Sequence, residues 1–589
     1  LQDYIKGFKE SCKDLKAFRR SLAKVPKLLD LTPSNNAIFH LILIKPTKYD
    51  DDGFAIHWRH PYMPSNTLAV VHGLARDAAR RQVLGEHVEI RVSALDENFL
   101  APDYDALTGD LTRHGRRALV CLVGVQTNQF PRAFDVARIF RRKDIPVSIG
   151  GFHVSGCIAM LDEMPAELVA AQQEGISLFA GELEGGRFDQ VLLDCWQQTV
   201  QPLYNFIGSV PAISESPLPY YTAEMIAGSM SQMGSIDLGR GCPFGCNFCC
   251  IINVQGRRSR TRSPEYLAAY VRDLHAKGAK ALFITDDNFA RNECWEAHLD
   301  CLIRLRREGI KLLVAIQVDT RCHEIPGFIE KAVAAGVGTV FIGLESLNAA
   351  NLAAMKKRQN SIEMYREMLL TWKKHPVLTI GAYIIGVPED TRESILRDID
   401  TLKRELPVDL LSLSIFTPLP GSELHRDMLR QESWMDADLN KYDLVHRVVR
   451  HPRMTDDELD NAYNDAFKSF YTFDHMQTIM KRTFGLGSNR KKGLVNLLLG
   501  YGVMRQIWGI TSIDIGWKRY LSPKSSRTQK TPVQALWVQV WGGIQRNLKF
   551  LAICFHYFRI NAAMLRLWHD PQRLAYRDEA IRENDHSQN

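Results

Sequence analysis

The sequence predicts an α/β protein: an N-terminal doubly wound (Rossmann-like) domain, a partial (β/α)6 TIM-type barrel, and an α-helical C-terminal region. Three observations predict it. Apolar strand-length runs alternate with amphipathic helical stretches over residues 37–200. The alternation pauses over a proline-containing stretch and then repeats six times across 234–425. Beyond 426 the pattern is helical throughout, and it turns basic at 481. Runs that are apolar at every position, rather than at alternate ones, belong to strands buried on both faces, as in parallel sheets covered by helices. At 589 residues the chain is too long for one core, and roughly three or four domains are expected. Its 45% hydrophobic and 24% charged residues are those of a globular protein.

Residues 1–36 read as a polar, partly helical lead-in in which no targeting segment is visible. The first strand is Phe39–Ile44, ending at Lys45-Pro46. A helix follows with Leu68, Val71, Leu74 and Ala78 on one face. Strands at Val88–Val92, Ala118–Val125, Pro146–Gly151 and Ile176–Phe179 complete the domain, with a helix at Ala133–Phe140. Ligands of doubly wound sheets lie outside the carboxyl ends of the strands. The residues expected there are Gln126 and Thr127, then Gly150, Gly151 and His153, then Gly181 and Glu182. No G-x-G-x-x-G follows the first strand, which argues against a dinucleotide. One such glycine loop is an ordinary tight turn, but three in one sheet point to a ligand.

Pro202, Pro211, Pro217 and Pro219 mark 201–233 as a linker. The barrel region, 234–425, then offers strands at Ser235–Gly239, Ala281–Asp286, Leu312–Asp319, Thr339–Glu345, Leu378–Gly386 and Leu410–Phe416. Helices are expected near 264–277, 294–308, 326–335, 360–373 and 391–405. Barrel sites lie at the C-terminal ends of the strands. Just past the first of them stand Cys242, Cys246 and Cys249, at C-x-x-x-C-x-x-C spacing among two glycines and a proline. Twelve cysteines are too few for a secreted disulfide scaffold, and four of them crowd into 242–250. That usage points to metal in a reducing cytoplasm. Structural zinc takes four ligands, whereas three thiolates suit a four-iron cluster with one iron left open. Cys250 reads as a packing thiol beside the motif.

The three cysteines after the first strand of a six-fold βα repeat, with Phe248 before the third, resemble the radical S-adenosylmethionine superfamily. The domain ahead, with Gly150-Gly151-Phe152-His153 and Gly181-Glu182-x-Glu184, resembles the subgroup with an N-terminal cobalamin-binding domain. The likeness spans residues 38–425. It implies a [4Fe–4S] cluster on Cys242, Cys246 and Cys249 that cleaves S-adenosylmethionine to a 5′-deoxyadenosyl radical. The electron would come from a donor such as flavodoxin or ferredoxin. The resemblance also implies cobalamin in the first domain. It places contacts to the methionine amino group at Asp286, Asp287 and Asn288, and contacts to ribose and carboxylate at Gln317, Asp319 and Arg321. Further contacts fall at Glu345 and, beside the adenine, at Gly386. Taken singly, Asp287 or Glu345 also reads as a strand-end cap or salt bridge.

One departure stands out. Many cobalamin domains carry D-x-H-x-x-G, whose histidine ligates cobalt, and the first strand here runs into Lys45–Gly53 without it. The pattern at Asp273–Gly278 falls at the end of a barrel helix and reads as coincidence. The implied function is methylation of an unactivated carbon, on a lipid or another hydrophobic molecule. The alternatives are a radical cyclisation of the anaerobic porphyrin-cyclase kind and, from another class, a non-catalytic iron–sulfur electron-transfer protein.

The formal charge of +7 is unevenly spread. Lys481 to Arg566 holds fifteen Lys/Arg and one acid, Asp514, so this segment carries +14 and the rest −7. Residues 426–480 read as helices capping the barrel. In 481–569, the apolar runs Leu494–Met504, Ala535–Ile544 and Phe550–Phe558 alternate with basic clusters and with Trp508, Trp517, Trp537, Trp541 and Trp568. No run reaches the length of about 20 residues that spans a bilayer. The expectation is therefore a cytoplasmic protein with a helix lying peripherally in the inner face of the membrane. The competing reading is a basic helical domain whose aromatics fill its own core. Nucleic acid ranks third, because the aromatics sit in aliphatic runs. Residues 570–589 read as a polar tail without fixed structure.

Overall fold

The computed structural model describes residues 36–113, 117–511, 514–522, 526–527 and 532–581, with side chains in the last stretch from residue 540. Residues 1–35 of the expected lead-in and 582–589 of the expected tail lie outside the described residues.

The first sheet has six parallel strands: β1 (Ala37–Lys45), β2 (Val88–Asp96), β3 (Arg117–Leu122), β4 (Val147–Gly150), β5 (Ser177–Ala180) and β6 (Leu203–Asn205). Their spatial order is β2-β1-β3-β4-β5-β6. β1 is buried from Phe39 to Lys45 because strands flank it and helices cover both faces. Leu41 and Leu43 pack with Val71 and Leu192 on one side. Ile42 and Ile44 pack with Phe130 and Val136 on the other. The order reverses at β1, which opens a crevice between the carboxyl ends of β1 and β3. β6 lies in the stretch expected to be a linker. The sheet recruits it because Tyr204 is buried and Leu178 N–H donates to Pro202 O at 2.9 Å.

The second sheet runs β7 (Met233–Ile236), β8 (Ala281–Ile284), β9 (Leu313–Val318), β10 (Val337–Glu345), β11 (Leu378–Ile385) and β12 (Leu410–Ile415). Each strand pairs in parallel with the next, and β7 does not meet β12, so the barrel is open. Helices at Pro264–Ala276, Trp295–Arg307, Phe328–Ala334, Ile362–Lys373 and Arg392–Arg404 alternate with its strands. Local chemistry sets their starts. Ser263 Oγ accepts from Tyr266 N–H ahead of Pro264, and Thr391 with Ser394 forms a reciprocal cap.

The C-terminal helices Asp456–Phe470, Phe473–Gly485 and Lys491–Leu499 extend the barrel core through Leu459, Phe467, Ile479 and Leu498. Part of the basic charge is structural. Arg482 is wholly buried against Asp409 and Asp578, Arg490 donates to Gly338 O, and Arg505 to Leu413 O. Asp578 belongs to the expected structureless tail. Its buried ion pair accounts for order in 570–581, which correct that expectation.

Pro532–Trp568 is one 37-residue helix where the sequence suggested two short apolar runs. Gly542 and Gly543 cost such a helix only about 1 kcal/mol each and do not interrupt it. Among the described residues, Val540–Trp568 is long and apolar enough to cross a membrane by length and composition. That corrects the expectation that no apolar stretch here reaches such a length. Ile553, Ile560, Ala563 and Met564 are buried against the core. Trp541, Ile544, Leu548, Leu551, Phe555 and Phe558 remain exposed at helical three–four spacing. Trp508 packs on Trp58, Trp517 on Phe550 and Trp568 on Phe484, with ring centroids 5.5, 5.9 and 5.3 Å apart. Those three aromatics serve the interior.

Candidate active site between the two sheets

The cysteine loop is tied at its base. Gly239–Arg240 pairs antiparallel with Arg260–Thr261, so the chain from 241 to 259 is a closed excursion beyond β7. Gly241 has φ +100°, and a Cβ there would stand 2.5 Å from Arg258 O, so only glycine fits. Cys242 N–H reaches Gly256 O at 3.3 Å, and Cys249 N–H reaches Cys246 O at 3.2 Å. Cys246 is buried, while Cys242 and Cys249 are half-buried. Burial pushes the Cys242 and Cys249 thiols up, so their thiolates need a metal partner. Cys250 Sγ lies 3.4 Å from Pro420 O, facing a loop carbonyl.

The surroundings of the sulfurs include residues the sequence did not single out. Gln359 Nε2 is 3.4 Å from Cys246 Sγ. Lys357 is buried and ion-paired with Glu345, its ammonium 5.8 Å from the centre of the Phe248 ring. Burial pulls the lysine pKa down, but Glu345 and the thiols of Cys246 and Cys249 hold it above its ordinary value. Glu345 itself has φ +67°, a costly conformation for a non-glycine residue. Asn360 supports it by donating to Gly343 O at 2.9 Å and to Leu344 O at 2.8 Å. These residues follow the short helix Ala349–Ala354 rather than a strand end. The one signal for them was a polar Lys-Lys-Arg-Gln-Asn run, 356–360, between two helices.

Several expected contacts serve instead to hold the barrel rim. Asp286 is buried, accepting from Leu238 N–H at 2.6 Å and Asn292 Nδ2 at 2.8 Å, and burial pushes it up to about 7. Gln317 Nε2 reaches Asp286 O at 3.3 Å. Asn288 donates to Asp319 Oδ2 at 2.9 Å, and Arg291 bonds the same carboxylate at 2.7 and 2.9 Å. Burial alone would raise Asp319, but Arg291 and Asn288 hold it below the usual carboxylate range. The Arg321 guanidinium is exposed on Glu324 at 2.6 Å, turned away from this network. Gly386, φ +85°, gives its N–H to Asp390 Oδ2 at 2.8 Å.

Six of the expected residues line one cavity of about 340 Å³: Gln126, Gly150, Gly151, Gly181, Glu182 and Asp287. It lies between the carboxyl ends of the two sheets and reaches the helix Ile251–Val254, directly after the cysteines. Thr127 and His153 are not on its wall. Both are buried behind it, with His153 Nδ1 3.2 Å from Thr127 Oγ1. The cavity continues between two helices, Asn66–Arg80 and Arg187–Gln197, as an apolar slot lined by Val70, Leu74, Phe188 and Val191. No lining residue is a histidine. Glu182 is less a ligand contact than a clasp: it bonds Arg240 at 2.7 Å and Arg260 at 2.5 Å. Arg240 also reaches Glu184 and Asp237, each at 2.6 Å. This buried guanidinium joins the sheets immediately before the cysteine loop, and nothing in the sequence marked it as more than a neighbour of Gly241.

Comparison with known proteins agrees with this geometry. The Radical SAM superfamily model matches residues 236–402. An uncharacterized methyltransferase of Pyrococcus horikoshii is 28% identical over 298 residues, covering 48% of this chain and 62% of its own length. The hopanoid C-2 methylase of Rhodopseudomonas palustris is 26% identical over 331 residues, covering 54% and 59%. The match thus spans about three fifths of each relative's length. Among solved structures, the cobalamin-dependent S-adenosylmethionine radical enzyme OxsB, with aqua-cobalamin bound, has a similar fold. Its TM-score is 0.54 at 12% identity, over 95% of this chain and 86% of that one. With its cysteine loop at the head of a six-stranded open barrel and a doubly wound sheet in front, the chain carries a region, residues 236–402, that matches the Radical SAM superfamily, and its fold is similar to that of OxsB.

Proposed function

We propose that this chain is a cobalamin-dependent radical S-adenosylmethionine methyltransferase acting on an unactivated carbon of a hydrophobic molecule. The observation that carries the reading is the shared cavity, where the crevice of one sheet opens onto the strand ends of the other. The residues fit the groups this requires. Three thiols on one loop, with an amide N–H and a buried ammonium beside them, suit a cluster that takes only three protein ligands. The glycine-lined crevice, with its apolar slot between helices, suits a flat cofactor carrying an aromatic tail. Bound there, cluster, S-adenosylmethionine and cobalamin would supply one-electron chemistry and a transferable methyl group.

The chain's own residues would do the rest. Cys242, Cys246 and Cys249 hold the cluster and leave its fourth iron position free. Gln359 and Lys357 place an N–H and a positive charge beside the sulfurs, which favours the reduced state. Asp287, exposed into the cavity, accepts an ammonium group. Gly150 and Gly151 let a ligand approach the backbone closely, and the Arg240 clasp keeps the two halves closed against water. The similarity to a hopanoid methylase favours a lipid-like substrate. The apolar stripe of the long helix would bring a cytoplasmic enzyme to the membrane that holds it, with flavodoxin or ferredoxin as reductant.

The test is anaerobic reconstitution of the whole chain with iron, sulfide and hydroxocobalamin, followed by assay of 5′-deoxyadenosine and of methyl transfer from labelled S-adenosylmethionine to a lipid extract. Cleavage together with a labelled lipid product supports the proposal. A fully loaded cluster that forms no 5′-deoxyadenosine refutes it.

A further inference from the structure

Behind the cavity wall, three side chains with ligand atoms converge. The helix Phe152–Met160 carries His153 and Cys157 four residues apart, hence on one face. The next helix, Ala166–Gln173, brings Glu167 to them in its first turn. One ligand atom from each lies within 4.8 Å of the other two. His153 is completely buried and Cys157 nearly so, while the Glu167 side chain keeps 29% exposure, which leaves a way in.

The imidazole is oriented as a ligand would be. Its ring packs tilted at 45° against Phe130 with centroids 4.6 Å apart, and Nδ1 is 3.2 Å from Thr127 Oγ1. With the proton on Nδ1 and donated to Thr127, the Nε2 lone pair stands 3.3 Å from Glu167 Oε1, two acceptors that only a further proton or a cation can join. The Cys157 thiol within reach of both favours a cation over a second ring proton. A metal-bound histidine typically donates its other N–H to such an orienting group.

We propose that His153 Nε2, Cys157 Sγ and the Glu167 carboxylate bind one Zn²⁺ ion. Nitrogen, thiolate and carboxylate are zinc's protein ligands. As the zinc–sulfur bond forms, the Cys157 thiol proton leaves to solvent. The thiolate and carboxylate then cancel the charge of the ion, which suits a buried site. The ion would also brace the approach of the two sheets. Gly156, between the two helical ligands, packs so closely on the loop after β12 that a Cβ would stand 2.6 Å from Pro420 O. That same carbonyl faces Cys250 beside the cluster loop.

The test uses the full chain carrying its iron–sulfur cluster, equilibrated anaerobically with buffered zinc and freed of excess, then measured for zinc content and zinc-edge X-ray absorption. The expected result is one zinc per chain, with a single sulfur scatterer at about 2.3 Å and nitrogen or oxygen at about 2.0 Å. Cys157→Ser removes the sulfur scatterer. Thr127→Val, which strips only the orienting partner, weakens zinc binding about tenfold or more. The triple variant Cys242→Ala/Cys246→Ala/Cys249→Ala keeps the zinc and its shell. Wild-type protein with under about a tenth of an equivalent of zinc overturns the proposal, since a structural zinc site fills stoichiometrically. So does zinc bound by several sulfurs and lost with the three loop cysteines.

Discussion

Lys357 and Glu345 sit where a lone charge would be untenable. Each is buried, and each is stabilised mainly by the other and by the sulfurs and backbone around them. Removing one partner of such a pair costs about 3–5 kcal/mol because the other charge stays behind. Lys357→Met should therefore lower the unfolding free energy by that amount in urea titration, and should also make the cluster harder to reduce. A second charged knot, near the loop after β1, predicts a pH dependence. His446 Nδ1 is 2.9 Å from Asp443 Oδ1 and Nε2 is 3.3 Å from Asp51 Oδ1, and these two hydrogen bonds raise it to about 10. Its folded value lies above its unfolded one, so its stabilisation is complete below about pH 6.5 and is lost as pH climbs toward about 10. After allowance for solvent screening the effect is on the order of 1–2 kcal/mol. Thermal melts between these pH values should show the decline in wild type and a flatter profile in His446→Gln.

The cysteine loop and the long C-terminal helix are the two elements on which function turns. The loop depends on backbone that only glycine adopts at 241. Gly241→Ala forces the Arg258 carbonyl to move and strains φ, at a local cost of about 1–3 kcal/mol. The expected outcome is a folded chain, by circular dichroism, that retains little iron after anaerobic reconstitution. The helix buries Ile553 and Ile560 on one side and exposes Leu548, Leu551 and Phe555 on the other. If that stripe lies in a lipid surface, whole-chain protein floats with anionic liposomes and the Leu548→Glu/Leu551→Glu/Phe555→Glu variant sediments. Equal flotation of the two would assign the stripe to a protein neighbour instead.

At the scale of the whole molecule, the cavity exists because two sheets meet at their carboxyl ends and Arg240 clasps them. The loop where a cobalt-ligating histidine would stand, Lys45–Gly53, is drawn away from it. Lys48 bonds Asp443 at 2.8 Å, and Lys48 to Gly53 line a separate cavity with Asp443 and His446. Cobalamin bound by this chain should then show, in the electron paramagnetic spectrum of its cob(II) form, no splitting from a histidine nitrogen. The order of strands and helices was legible along the chain, because continuous apolar runs and capping residues such as Ser263 and Thr391 act locally. The grouping of Cys242, Cys246 and Cys249 on one loop was legible too, since they lie within eight residues of one another. Contacts across long separations were not. Glu182 meets Arg240, Asp578 meets Arg482, and His425 approaches His153 only once the sheets have packed. Sequence by itself thus determined the elements and the position of the cysteine loop. Tertiary structure alone decided which charges became buried clasps, which expected ligands turned away, and which face of the last helix stayed bare, because burial and pairing are set by neighbours hundreds of residues distant.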